Sequence, residues 1–443
     1  MSKRSIGFST YLKDFLSNKL AIAGVLILIV LLIFTGIALS VPSKVYSSWN
    51  NPAAWREYPE HVPPSWMSFF YPGKYFTTEK LVSTNISSVS FSKNVYIITI
   101  NYQFNWSKTL PPYNIYFITS SNTTPIEEII YWTKPDGSTL QVNVPSNVLN
   151  VPFDLTSIRT TIINYITSVT GKTPSLVNST LLASALFNSP KSNLTVTEQG
   201  KYSLKIEVVS LSPIKITNSS ILLLGNSYGL MGTDYFGRPI SLGILLGLPN
   251  ALEIGALTSI VAVLVGIFVG GISGYLGGNK DSAIQWVSLV FYALPALPFL
   301  VAVSFAVRPS ILIESLLIAF LSWPFYAIIA RSIALSIKSN SFVEADKLLG
   351  IPSYRVFFTH FMPRLIPITV AYMALGVPAG ILLAQTLAFL GIAPADVVTW
   401  GGILDAAETY QAQVNGWWWW VVFPGVMIVI VAIPFVLIGF AIE

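Results

Sequence analysis

The 443-residue chain has no cysteine and only two histidines, and just 10% of its residues are charged. Without cysteine there can be no disulfide staple, no thiolate nucleophile and no Cys-ligated metal. His61 and His360 are the only imidazoles, and neither has a triad partner or metal-ligand spacing around it, so catalysis is poorly supported. The formal net charge is +5, but the basic residues are dispersed and form no run that could track phosphates, which argues against a nucleic-acid partner. "SVTGKTP" holds Gly171, Lys172 and Thr173, yet Ile166 stands where a phosphate loop needs a further glycine.

Hydrophobic residues make up 53% of the chain, which places it in the membrane class. A helix needs about 20 apolar residues to cross the hydrocarbon core, because each backbone polar group must be satisfied within the span. Six stretches qualify: Leu20 to Val41, Ser241 to Tyr275, Ser282 to Val307, Ile311 to Ile337, Leu365 to Ile392 and Trp417 to Ala441. Lys3, Arg4, Lys13 and Lys19 precede the first and predict a cytoplasmic N-terminus under the positive-inside rule. A cleaved signal peptide would have an apolar region of about 7–15 residues, so the longer first stretch is expected to remain as a span. Alternate threading then places "GGNKD" and the connection bearing Arg331, Lys338, Lys347, Arg355 and Arg364 inside, with only Arg308 on the outer connection between the third and fourth spans. The C-terminus is also inside, and Trp417 to Trp420 is expected to anchor the last span at the outer interface.

Between the first two spans, about Pro42 to Tyr228, the chain is rich in Ser, Thr, Asn, Tyr and Pro and is long enough for one domain, which the threading puts outside the cell. "VYIITINYQFNW", "NIYFITS" and "KYSLKIEVVSL" read as strands, and "IIYWTKPDGSTLQVNV" as a hairpin turning at Pro-Asp-Gly. "TSIRTTIINYITSVTG" and "SLVNSTLLASALFN" read as short amphipathic helices. The expected organisation is therefore a polytopic α-helical membrane protein in three parts: 1–41, a mainly β (α+β) domain at 42–228, and a membrane core at 229–443. Sequons at Asn85, Asn105, Asn122, Asn178, Asn193 and Asn218 are possible glycosylation sites on the outer surface, although several would arise by chance in so Asn- and Ser-rich a region.

One half-polar stretch, "EADKLLGIPSYRVFFTHFMP" from Glu344 to Pro363, interrupts the apolar C-terminal half. Gly350 can end one helix in a left-handed conformation, and Pro352 suits the first turn of another, so two short helices should meet at a fixed bend. Phe357 and Phe361 share one face, Phe358 and Met362 another, and Pro363 and Pro367 are expected to delimit the exit. These patterns alone also fit an amphipathic loop lying on the inner leaflet.

The order Glu344, Ala345, Asp346, then Gly350, then Pro363 resembles the EAA loop of ABC-importer permeases. "THFMPR" is similar to the HxxP variant of the dipeptide, oligopeptide and nickel branch, and "GTDYFGRP" at Gly232 to Pro239 resembles that branch's GTDxxGRD signature. "GYLGGNKD", "FLGIAPADVVTWGGIL" and "WWVVFPGVMI" follow in the branch's order. The sequence departs from the pattern at Asp346, where Ala is usual, at His360, commonly Ile, and at Gln385, usually Glu. Pro249 and Asn250 replace a common "GAR" step, and the usual charged tail does not follow Glu443. The resemblance leaves the enlarged outer domain unmatched.

The resemblance implies the ABC type I importer fold of about six transmembrane helices, in the plasma membrane, with no enzymatic activity of its own. Its partners would be a second permease, two ATP-binding subunits and an external solute-binding protein, besides membrane lipid. ATP and Mg would bind those partners, and no cofactor or metal this chain. In the family the bent helix pair docks in a groove of the ATPase, which assigns coupling to Glu344, Ala345, Asp346, Gly350, Pro352, Phe357, Phe358, His360, Phe361 and Pro363. Each of these side chains could instead pack only against the chain's own spans.

Ionisable groups within spans are costly, which singles out Glu253 and Glu314. Glu314 is expected near a water-accessible outer edge, whereas Glu253, with Asn250 and Gln385, is a candidate for the translocation pathway. Gly232, Thr233, Asp234, Gly237 and Arg238 form an outer-mouth motif, read as a tight turn held by Asp234 and Arg238 or as a docking surface for the binding protein. The branch suggests oligopeptides, but its archaeal members include oligosaccharide importers. A surface receptor acting through the outer domain would not predict the coupling stretch, and a secondary transporter would predict internal repeats that the sequence does not display.

Overall fold

The computed structural model describes residues 15, 17–92, 95–394 and 396–442. Lys3, Arg4, Lys13 and Glu443 lie outside the described residues. Chain contacts divide the molecule into two units, Met1–Asn51 with Leu242–Glu443, and Pro52–Ser241.

The first unit is helical: α1 (Lys19–Leu39), α2 (Ser43–Trp49), α3 (Ile240–Leu276), α4 (Gly278–Tyr292), α5 (Ala296–Ala306), α6 (Ile311–Lys338), α7 (Ser341–Leu348), α8 (Ser353–Val356), α9 (Met362–Phe389), α10 (Trp400–Thr409) and α11 (Trp418–Ile442). Among the described residues, five helices are long and apolar enough to cross a membrane: α1, α3, α6, the continuous Ser353–Phe389 and α11. The stretch expected as a span over 282–307 is broken into the pair α4 and α5, bent by 78°, which is long and apolar enough to cross only when the two are taken together. Pro295 explains the break, since it lacks an N–H and biases Leu294 before it away from helical backbone.

α1 begins at Asn18, whose side chain accepts from the Leu20 N–H at 2.9 Å. It is apolar all round and leaves Leu26, Leu32, Ile33 and Leu39 exposed, as a lipid-facing helix does. α3 and α6 meet along Gly266, Gly270 and Gly274, spaced by four. A Cβ on Gly270 would lie 2.0 Å from the Ala327 carbonyl oxygen, so only glycine permits this backbone approach.

The second unit contains two antiparallel sheets and two main helices, Arg159–Thr170 and Ser179–Phe187. The strands are β1 (Glu79–Val82), β2 (Asn85–Ser92), β3 (Val95–Trp106), β4 (Asn114–Ser121), β5 (Glu127–Thr133), β6 (Thr139–Asn143), β7 (Phe153–Asp154), β8 (Gly200–Ser210) and β9 (Ile216–Leu224). Their order is β1-β9-β4-β7 in one sheet and β2-β3-β8-β5-β6 in the other. Alternation sends Ile98, Ile100 and Tyr102 of β3 and Tyr202, Leu204, Ile206 and Val208 of β8 into one core. Phe187 fills its centre, with ring centroids 4.6 Å from Trp106 and 5.0 Å from Tyr202. In the β5–β6 hairpin Lys134 N–H donates to Ser138 O, and Ser138 N–H to the Asp136 carboxylate.

All six sequon asparagines are exposed. Two already have local work: Asn178 caps its helix by accepting from Leu181 N–H, and the Asn122 side chain accepts from Lys215 N–H.

Candidate functional site

The half-polar stretch folds as a bent helix pair. α7 ends before Gly350, which takes a left-handed φ of +71° that a side chain would strain. Ile351 N–H then donates back to Asp346 O at 3.1 Å. Pro352 precedes α8 as its N-cap, one place earlier than the first-turn position expected for it. Across the bend, His360 Nε2 lies 2.8 Å from Asp346 Oδ2. The two residues that depart from the EAA pattern thus face each other. The side chains of Glu344, Ala345 and Lys347 lie outside the described residues.

The second arm is not a separate short helix delimited by Pro363 and Pro367. It runs through a π-helical turn, Phe357–Phe361, directly into α9. Met362 N–H bonds to Phe357 O, five residues back, and this shift of register absorbs the missing N–H of Pro363 at the start of α9.

Of the expected aromatic anchors, Phe357 and Phe361 are turned inward. Only 5% and 0% exposed, they pack with Val343, Val356 and Ile337. Tyr275 of α3 lies 4.9 Å from the Phe361 ring, centroid to centroid. Phe358, the third of these candidates, is exposed, as is Tyr354. Leu348 and Leu349, not among the expected coupling residues, are 90% and 77% exposed. Their signal was two leucines running straight into a helix-ending glycine.

A second polar centre escaped sequence reading altogether. Arg331 on α6 donates from Nε and Nη2 to the two carboxylate oxygens of Asp281 on α4, both at 2.7 Å. Ser273 of α3 donates to the same carboxylate at 2.5 Å. This bidentate pair joins three helices where "GGNKD" meets the spans.

The pathway candidates separate from one another. Glu253 is exposed on this chain. Gln385 is buried and accepts from Gly401 N–H at 2.7 Å, while Asn250 donates to Val398 O at 3.0 Å. Trp400 Nε1 donates to Ile244 O, so Asn250 and Gln385 both help seat the segment leading into α10. Glu314 is only 7% exposed, which corrects the expectation of a water-accessible edge: it sits in the first turn of α6, with Leu300, Leu317 and Leu387 around it. Ser322, Tyr326 and Tyr372 instead line a groove of 480 Å³ between α4, α6 and α9.

The Trp417 to Trp420 run is likewise not uniformly interfacial. Trp419 and Trp420 are buried, and Trp420 stacks on Tyr410 at 6.3 Å. Successive helical residues point about 100° apart, so Trp418, Trp419 and Trp420 at the start of α11 cannot all face lipid.

In the β-rich unit, Gly232, Thr233, Asp234, Gly237 and Arg238 close a compact turn. Asp234 Oδ1 accepts from Phe236 and Arg238 N–H groups, both at 2.9 Å, and Arg238 Nε donates to Oδ2 at 2.5 Å. Thr233 Oγ1 donates to Pro59 O at 2.7 Å, and Gly237 adopts φ +79°. His61 N–H donates to Asp234 O at 2.7 Å, and burial pushes its imidazole down to about 4. Asp234 and Arg238 are both buried, as a turn-holding pair requires.

These features define a polytopic helical membrane protein whose bent helix pair presents apolar residues beside its own spans. Residues 262–443 match the family model described as "Binding-protein-dependent transport system inner membrane component". The chain is 31% identical over 225 residues to the dipeptide transport system permease protein DppC of Alkalihalophilus pseudofirmus, covering 50% of this chain and 73% of the relative. It is 29% identical over 228 residues to the probable D,D-dipeptide transport system permease protein DdpC of Escherichia coli K12, covering 51% and 76%. With the oligopeptide transport system permease protein OppC of Haemophilus influenzae, identity is 28% over 213 residues, covering 48% and 68%. The chain belongs to this family of binding-protein-dependent transport permeases.

Proposed function

We propose that this chain forms half of the translocation pathway of an ATP-driven importer for di- or oligopeptides. The observation that carries the reading is the bent helix pair, which exposes Leu348, Leu349, Tyr354 and Phe358 in a chain belonging to this permease family. In this reading the pair docks on a cytoplasmic ATPase subunit, with Glu344 contributing charge at the contact. ATP and Mg bind the two ATPase partners, and a second permease completes the pathway. An external solute-binding protein delivers the solute, with the Gly232 to Arg238 turn at the outer mouth.

The direction of coupling follows from the packing. Phe357 and Phe361 lock the second arm against Tyr275, and the π turn joins that arm to α9 without a flexible link. Closure of the ATPase dimer would therefore move α3 and α9 together as rigid bodies. The groove of Ser322, Tyr326 and Tyr372 is the best candidate for solute contact, with Glu253 facing the second permease. The N- and C-termini are cytoplasmic, and the β-rich unit, with its six exposed sequons, lies outside. Peptide specificity is supported by the similarity to dipeptide and oligopeptide permeases.

The test is uptake by the assembled complex in proteoliposomes. ATP-dependent accumulation of labelled di- to pentapeptides supports the reading. Accumulation of oligosaccharides alone would replace the solute, and no ATP-dependent uptake of either would remove the proposal.

A further inference from the structure

Within the β-rich unit, one short segment exposes its aromatic rings instead of burying them. In "SWMSFFYPGKY", Trp66, Phe69, Phe70 and Tyr71 are 42%, 82%, 64% and 52% exposed, and Leu230 beside them is 74% exposed. The rings form a cluster of their own: Phe70 lies 5.4 Å from Phe69 and 6.2 Å from Trp66. Residues 61–78 contain no acidic side chain and one lysine, Lys74, whose Nζ lies 5.7 Å from the Tyr71 ring centroid.

This is a fixed platform. Trp66 Nε1 donates to Leu230 O at 2.9 Å, and Ser65 N–H to Gly229 O at 2.8 Å. At the other end Lys74 N–H closes a turn on Tyr71 O, and Thr109 holds Gly73 O through both its N–H and its hydroxyl. Rings held in place by their backbone lose little further freedom on docking.

The location identifies what they dock on. The 229–232 segment that carries the platform leads into α3, and Ile240 N–H, at the first residue of that helix, donates to Gly232 O at 3.1 Å. A 37-residue helix is about 55 Å long and, at the usual tilt of about 20°, projects about 10 Å more than the roughly 40–45 Å of a bilayer with its headgroups. Its first residue therefore lies at a membrane face or within about 10 Å of one, whichever way the chain is threaded. Tryptophan and tyrosine favour the headgroup level, phenylalanine the acyl boundary just beneath, and a lysine beside them suits lipid phosphate.

We infer that the Trp66 to Tyr71 segment, with Leu230 and Lys74, is an interfacial anchor that seats the β-rich unit on the lipid surface. The inference rests on α3 crossing the bilayer and not on what the protein imports. A soluble partner is the competing occupant, but a patch bonded to the root of a span and free of acidic groups fits lipid better.

The absence of cysteine allows a direct test on the full chain. Single variants Phe69→Cys, Phe70→Cys, Leu176→Cys and Leu32→Cys carry a nitroxide in vesicles of phosphatidylcholine with phosphatidylglycerol, and collisions with oxygen and with a water-soluble nickel chelate are compared. Leu176 is exposed in the same unit far along the chain, and Leu32 lies within α1. At Phe69 and Phe70 the ratio of oxygen to nickel accessibility should exceed that at Leu176 by at least about threefold, approaching that at Leu32. Equal ratios at Phe69, Phe70 and Leu176 would overturn the anchor, as would rings that become shielded only when a soluble partner is added. A water-exposed label at Leu32 would instead overturn the span reading, and the anchor with it.

Discussion

His360 Nε2 and Asp346 Oδ2 stand 2.8 Å apart across the bend between α7 and the π turn that opens the second arm. The contact joins two arms that local backbone geometry alone would leave hinged at Gly350. The partners are partly exposed, so the pair contributes about 1 kcal/mol or less, enough to bias an angle without setting the fold.

His360→Ala should therefore widen the distribution of distances between spin labels at Leu348→Cys and Tyr354→Cys, with little change in thermal stability. Pulsed dipolar spectroscopy reads it directly. An unchanged distribution would mean that core packing alone fixes the bend.

The Asp281–Arg331 pair makes a stronger claim, because Asp281 is buried and accepts from three donors. Arg331→Leu leaves that carboxylate without its counter-charge and should cost about 3 kcal/mol, read as lowered thermal stability in detergent. Adding Asp281→Asn should recover most of it. If the double variant is no better than the single, the pair does not act as a unit.

Gly270→Ala should lower stability sharply, since its new methyl would meet the Ala327 carbonyl and force α3 from α6. Gly36→Ala, with no neighbour within 4 Å of its Cβ position, should be neutral or slightly stabilising. Equal melting temperatures for the two variants would contradict the close α3–α6 contact.

The β-rich unit should respond to pH through Glu128, which is 2% exposed and has one unpaired carboxylate oxygen. Burial raises its carboxyl from 4.5 to about 7. The folded state then binds more protons at Glu128 than the unfolded one between these values, so the stability that this group contributes is fully present below pH 4.5 and is lost as pH rises through about 7. Glu128→Gln should remove that slope and stabilise the unit above pH 7 by on the order of 3 kcal/mol. Unfolding curves of both proteins at pH 5 and pH 8 check the sign.

Much of this structure was legible in the order of residue types. Val95 to Trp106 alternates inward and outward residues as a strand must, and the Pro-Asp-Gly turn marked its hairpin before any pairing was known. Gly350 and Pro352 marked the bend because few other residues suit those backbone positions. What remained hidden was contact across long separations. Nothing near Asp281 announces Arg331, 50 residues on. The spacing puts Phe357 and Phe361 on one face and Phe358 on another, but which face turns inward is set by distant partners such as Tyr275 and Ile337. The π turn was equally illegible, because Pro363 and Pro367 signal a broken helix where a shifted hydrogen-bond register keeps it continuous.

The most direct test of the central claim is purification of the chain from its native membrane with identification of the bound subunits, comparing wild type with Leu348→Asp combined with Leu349→Asp. The importer reading predicts that wild type brings down a second permease and ATP-binding subunits, and that the variant keeps the permease and loses the ATPases. A wild-type chain that carries no ATPase, or a variant that retains it undiminished, would contradict the assignment of the bent helix pair as the coupling site.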